Sequence, residues 1–263
     1  MKPADMTDIQ VAELLADAAR KVILPFFRRT DLDAENKFAS GFDPVTEADR
    51  AAELAMRAIL ADLRPRDGIH GEEFDAVQGR SGRTWVLDPI DGTRGFISGT
   101  PTWGVLIALS DENGPFLGIV DQPYIGERFI GTPDGAYMVG PMGQRELATR
   151  RDAALGDAIL FTTFPELGHP DEAAAFRAVS QRVKLTRYGM DCYAYALLAA
   201  GLVDLVIEAG LKEVDIHAPI ALIRAAGGIV TDWRGGPAHG GGRALAAANP
   251  QVHAAALDIL GRI

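Results

Sequence analysis

The sequence predicts an α/β protein, of mixed α+β character, in which helices and sheets are layered. Three observations carry this. Near the start, apolar residues recur every three or four positions, as on an amphipathic helix; between 104 and 139, short strands are joined by tight-turn sequences; after Arg151, strands and helices alternate. A chain of 263 residues with 48% hydrophobic content can bury a substantial core. It reads as one compact unit, with an N-terminal α+β half over 1–150 and a C-terminal α/β half over 151–263.

Taken in order, Val11, Leu14, Leu15, Ala18, Val22 and Phe26 place a helix over 9–29 that Pro25 kinks or ends. Residues 34–40 are polar and mixed, and Lys37 among them reads as a solvated lysine. Thr46 with Asp49 three residues on resembles a capping box for a helix over 51–60. A short extended piece over 69–73 then carries Glu72 and Glu73. Trp85-Val86-Leu87 reads as the end of a buried strand that breaks into a turn at Asp88-Pro89. Beyond it, strands over 104–110 and 116–120 flank the hairpin signal Asp111-Glu112-Asn113-Gly114, and extended pieces over 128–131 and 136–139 continue an antiparallel sheet. The second half offers strands over 158–163, 183–188, 204–208, 228–233 and 243–247. Its helices fall over 171–182, 193–200, about 217–226 and from 250.

The chain is organised around 85–93. Asp88 and Asp91 stand three apart with Pro89 between them, so two carboxylates leave one strand on a stiff connection and the Ile90 carbonyl is available as a third oxygen. Such hard oxygen ligands suit magnesium. Gly92 and Thr93, at the start of a short helix, offer backbone N–H groups to a phosphate. Asp-Pro and Asp-Gly are also ordinary turn dipeptides, so this spacing alone leaves a simple turn and cap open.

Composition narrows the partners. A net charge of −10, without any long Lys/Arg run, argues against nucleic acid and anionic membranes. Any anionic substrate then needs cations to mediate its binding. The single cysteine, Cys192, excludes an intramolecular disulfide and fits a reducing compartment. With no apolar core at the N-terminus and no apolar run long enough to span a bilayer, a soluble cytoplasmic protein is expected. The glycine-rich stretch 235–242 lacks the Gly-Lys-Ser/Thr ending of a phosphate loop and reads as a mobile turn, while His217 reads as a helix-start residue.

Gly71-Glu72-Glu73, then Asp88-Pro89-Ile90-Asp91-Gly92-Thr93, then Glu208 with Asp215 seven residues on, together resemble the inositol monophosphatase family of magnesium-dependent phosphatases. The likeness spans nearly the whole chain. Within the family it is strongest to the bacterial histidinol-phosphate phosphatases, on the strength of 91–99, where Arg94 replaces the Thr usual in inositol phosphatases, and of 187–195. The resemblance implies a layered αβαβα sandwich, usually a homodimer, with roughly two or three Mg²⁺ ions bound per active site. By position it makes Glu72, Asp88, Asp91, Asp215 and the Ile90 carbonyl metal ligands, with Glu73 beside them at the catalytic centre. Gly92 and Thr93 hold phosphate; Arg94, Gly189, Asp191 and Glu208 serve the substrate; Thr93 and Asp49 orient the attacking water. Two departures stand out. Val214 occupies the place of the family's Trp before the last aspartate, and 216–219 is not the usual Val-Ala-Ala type.

The chemistry fits those residues. Two charges 4 Å apart repel by about 4 kcal/mol at an effective dielectric near 20, so a carboxylate cluster needs cations. Monoester hydrolysis demands on the order of 20 kcal/mol of barrier lowering, and with no nucleophile motif present the expected attacker is water activated by the bound ions. Glu208 and Asp191 are acceptors, which favours an ammonium, an imidazole or a polyol. Inositol or a related sugar phosphate is the second substrate class and nucleotide 3′-phosphates the third. A reading from another class is a non-catalytic divalent-metal-binding regulatory protein.

Overall fold

The computed structural model describes residues 6–30, 34–36, 44–164, 166 and 168–262; Lys37 lies outside them. Helix α1 (Asp8–Ile23) starts at Thr7, whose side chain accepts from the Gln10 amide, and stops two residues before Pro25. Its buried stripe is Val11, Ala12, Leu15, Ala16, Ala19 and Ile23, so the helix is amphipathic as expected but rotated: of the six expected positions only Val11 and Leu15 are buried, and Leu14 is exposed because the alanine face is the one turned to the core. A short hairpin, β1 (Ala34–Asn36) with β2 (Pro44–Thr46), precedes α2 (Glu47–Leu63). Thr46 and Asp49 form the predicted capping box at its start.

The larger sheet has seven strands in order: β3 (Gly68–Gly71), β4 (Thr84–Asp91), β5 (Gly104–Asp111), β6 (Gly114–Gln122), β7 (Glu127–Thr132), β8 (Gly135–Gly140) and β9 (Gly143–Glu146). Only the β3–β4 pair is parallel. Helix α3 (Thr93–Ser98) lies between β4 and β5. A five-stranded sheet follows, built from β10 (Ile159–Thr162), β11 (Leu185–Tyr188), β12 (Leu205–Leu211), β13 (Ile229–Thr231) and β14 (Gly242–Ala247) in the order β11-β10-β12-β14-β13. Its helices are α4 (Pro170–Ser180), α5 (Asp191–Ala199), α6 (Glu213–Ala225) and α7 (Pro250–Leu260).

Strand periodicity sorts the apolar side chains into three cores. Trp85, Leu87, Val105, Ile107, Leu109 and Ile119 face α1 and α2. Their neighbours Val86, Leu106, Ala108 and Val120 point the other way, toward α5 and α6, which also receive Phe161, Val206, Ala244 and Ala246 from the second sheet. The outer face of that sheet, with Leu160, Leu205, Ile207, Leu245 and Ala247, is covered by α4 and α7. The layers therefore run αβαβα, as expected.

Helix α6 sits very close to the larger sheet. A Cβ on Gly118 would lie 2.4 Å from the Ala218 carbonyl oxygen, and one on Gly131 would lie 2.4 Å from Leu222 Cα, so the two glycines allow the helix to settle on β6 and β7. That placement brings its first turn to the end of β4. Three expectations change. The helix begins at Glu213 rather than near His217, so Asp215 belongs to its first turn; β4 continues through Asp88-Pro89 to Asp91 instead of breaking there; and the β1–β2 pair and β9, which pairs with β8, add strands that were not read from the sequence.

Candidate active site

The central motif is a bulge within a strand. Asp88 pairs across β4–β5 with Leu106, and Asp91 pairs with Gly104: between these pairs two residues on one strand, Pro89 and Ile90, oppose one on the other, Val105. In a regular strand, residues three apart face opposite sides. The extra residue returns Asp91 to the side of Asp88, toward the central layer. The Ile90 amide donates to Asp88 Oδ1 at 3.0 Å, and the Thr93 hydroxyl donates to the Ile90 carbonyl at 3.1 Å, which fixes the bulge and the turn after it. Gly92 takes φ +81° there, where a Cβ would meet Asp191 at 2.8 Å.

Around the bulge the acids gather. Asp88, Asp91 and Asp215 place one carboxylate oxygen each within 4.8 Å of one another. Because β3 runs parallel to β4, the chain leaves it beside Leu87: the Glu72 amide donates to the Leu87 carbonyl, and Glu72 is among the charges acting on Asp88. Asp49 arrives from α2 and is fully buried; its Oδ2 accepts from the Thr46 amide at 2.9 Å and from the Thr46 hydroxyl, whereas Oδ1 has no hydrogen-bond partner. Glu73 is held by its amide, which donates to Glu53 Oε2 at 2.8 Å, and its charge acts on Asp49.

The electrostatics follow from this crowding. Burial, then Glu72, Asp91, Asp215 and Asp49, pushes the Asp88 carboxyl well above its usual range; burial, then Asp215 and Asp191, does the same to Asp91. Burial raises Asp49 to about 7. Lys212 brings an ammonium to Glu72, Nζ to Oε1 at 2.9 Å, and the Cys192 amide donates to Asp91 Oδ2 at 2.7 Å. These groups do not neutralise the cluster. An all-oxygen donor set, with a buried carboxylate oxygen left unpaired beside it, fits a hard divalent cation.

A cleft of about 200 Å³ opens beside Asp91 and Asp215. Thr163, Phe164, Asp191, Cys192, Tyr195 and Glu208 line it further. Glu208 is clamped: its Oε1 accepts from the Thr163 amide and hydroxyl, and its Oε2 from the Thr162 hydroxyl. Burial nevertheless lifts its carboxyl to about 7. Asp191 opens α5 with a left-handed φ of +45°, a strained conformation for a non-glycine residue, and burial raises it to about 6. The exposed Arg94 acts on Asp191 and stacks its guanidinium 4.8 Å from the centre of the Phe164 ring. Of the residues singled out in the sequence, Gly189 stands apart, since its amide donates to the carbonyls of Thr162 and Thr163 and it is absent from the cleft wall. Lys212, Thr162, Thr163, Cys192 and Tyr195 were missed as site residues. The threonines show no local signal, because only the β10–β12 pairing brings them to Glu208.

The geometry agrees with what this chain is similar to. A model of the inositol monophosphatase family matches residues 5–261. A bifunctional phosphatase IMPL2 of Arabidopsis thaliana is 42% identical over 89% of this chain and 68% of its own length. A histidinol-phosphatase of Streptomyces coelicolor is 36% identical over 95% of this chain and 96% of its own. Among solved structures, an inositol monophosphatase from Zymomonas mobilis superposes with a TM-score of 0.85 at 40% identity, covering 97% of both chains.

Proposed function

The chain belongs to the inositol monophosphatase family, a family of phosphatases, and on that footing we propose that it is a Mg²⁺-dependent histidinol-phosphate phosphatase. The observation that carries this reading is the convergence of Asp88, Asp91 and Asp215 beside Asp49, with a cleft leading away to two further carboxylates. Glu72, Asp88, Asp91, Asp215 and the Ile90 carbonyl would hold roughly two or three Mg²⁺ ions. When bound, these ions supply charge neutralisation, polarisation of the phosphoryl group and acidification of water.

The chain's own groups do the rest. The Gly92 and Thr93 amides hold phosphate oxygens at the turn that the bulge creates. The Thr93 hydroxyl and the unpaired oxygen of Asp49 orient the attacking water, and Asp49, raised to about 7, takes its proton near neutral pH. Glu73 supports Asp49 from the neighbouring loop. Glu208 and Asp191, both acceptors, bind the ammonium and imidazole of histidinol phosphate, and Arg94 balances Asp191. The working unit is a homodimer in the cytoplasm. Among the described residues no helix is long and apolar enough to cross a membrane.

A panel of phosphate monoesters with Mg²⁺, with Asp91→Asn as the inactive control, tests the assignment. Histidinol phosphate should lead the panel. Asp191→Asn should raise KM for it far more than for inositol phosphate; equal effects would favour a broad phosphatase. The relatives keep an inositol or sugar phosphate as the second reading, because both histidinol-phosphatase and inositol monophosphatase names occur among them. Magnesium-dependent release of phosphate separates either from a non-catalytic metal-binding protein.

A further inference from the structure

Among the described residues, three buried side-chain polar atoms lack a hydrogen-bond partner: Asp49 Oδ1, Trp103 Nε1 and the Tyr195 hydroxyl. Asp49 belongs to the cage, and Trp103 is packed in the core beneath α1 and α2, away from the cleft. Tyr195 lies in the cleft wall and is 3% exposed. A buried hydroxyl without a partner weakens the folded state, so folding gives no reason for this oxygen. Phenylalanine would fill the same space.

The surroundings say what the oxygen can do. Burial, then the charges of Glu208, Asp91 and Asp215, push the phenol well above its usual range, so it keeps its proton and acts as a donor. Glu208 beside it is an acceptor whose orientation is fixed by Thr162 and Thr163. A donor and a fixed acceptor thus stand together on one wall, on the organic side of the carboxylate cage. A neutral azole ring matches that pair, because it carries an N–H on one nitrogen and a lone pair on the other. An ammonium has no lone pair to offer.

We propose that Tyr195 is a specificity-determining residue, donating its hydroxyl to the unprotonated ring nitrogen of an azole-bearing phosphate ester while Glu208 accepts from the ring N–H. This deepens the histidinol-phosphate reading and rests on it. Sites that hydrogen-bond a substrate group discriminate strongly against analogues lacking it.

The test compares histidinol phosphate with phosphoethanolamine, which keeps the ammonium and the phosphate but has no ring. For the wild-type protein with Mg²⁺, kcat/KM should favour histidinol phosphate. In Tyr195→Phe that preference should fall by about tenfold, with KM for histidinol phosphate carrying the change, and histidinol itself should bind about tenfold more weakly by calorimetry. The melting temperature of the variant should equal or exceed that of the wild type, since no native hydrogen bond is removed. A wild-type protein without the preference would overturn the substrate reading and this inference with it. A wild-type preference that Tyr195→Phe leaves intact, or a variant that loses stability and all activities alike, would overturn this inference alone.

Discussion

Two sets of buried acids in this molecule are handled in opposite ways. Asp121, inside the larger sheet, accepts from Arg20 Nη2 and from Arg128 Nε, each at 2.7 Å; Asp204 is paired with Arg150 and also receives the Ile159 amide at 2.7 Å. Each carboxylate is fully buried and each has an arginine. At the end of β4, by contrast, Asp49, Asp88 and Asp91 are packed chiefly against other acids, and burial with mutual repulsion raises all three. The same residue type thus serves as a structural clamp where the fold supplies the counter-charge. Where the fold withholds it, the acid is suited to the proposed role of holding cations from solution.

Replacing the acids should break this contrast most visibly. Asp91→Asn is expected to reduce kcat/KM on the order of a thousandfold, about 4 kcal/mol of barrier, while the melting temperature in chelator stays level or rises because repulsion is relieved. Asp121→Ala should do the reverse. Leaving Arg20 without its carboxylate and Arg128 with only the exposed Asp17 should destabilise the fold by about 3 kcal/mol in urea titrations, with turnover per folded molecule largely kept. Thr93→Ala comes next: on the proposed mechanism the hydroxyl orients the attacking water, so kcat should drop about a hundredfold, and because it also donates to the Ile90 carbonyl, Mg²⁺ binding should weaken as well.

The pH dependence sharpens the same distinction. Asp49 is raised from 3.8 to about 7 and Glu208 from 4.5 to about 7, so across that window the folded chain retains protons that the unfolded chain has released. Raising the pH from 5 to 8 should therefore lower the melting temperature of chelator-treated protein, and Mg²⁺ should offset the loss. The smallest effect belongs to Lys212, which is 45% exposed and would compete with a bound cation for Glu72. Lys212→Ala should tighten Mg²⁺ binding only a few-fold, measured by calorimetry.

Much of this was legible because the signals are local. The Thr46–Asp49 capping box and the hairpin at 111–114 each lie within a few residues of sequence, and the structure contains both; helix α1 was legible too, but its buried face runs through Ala12, Ala16 and Ala19 rather than Leu14, Ala18 and Val22. The acids at 72, 88, 91 and 215 were legible through their order along the chain rather than their spacing. The bulge was not, since Asp88-Pro89 reads as a turn until the register against β5 shows an extra residue in a continuing strand. Strand β9 went unread because all four of its residues are exposed and carry no apolar alternation. The donors on Glu208 and the unpaired Tyr195 hydroxyl depend on which strands and helices meet, which no local pattern records.

A cage short of positive charge until divalent ions enter it should exchange protons for those ions. Titrating Mg²⁺ into chelator-stripped protein near pH 6.5, in two buffers of different ionisation enthalpy, counts the protons exchanged. Binding should release protons from the raised carboxyls, and Asp91→Asn should lose both the affinity and the release. Binding without proton release, or an isotherm that Asp91→Asn leaves unchanged, would contradict that shortage of charge.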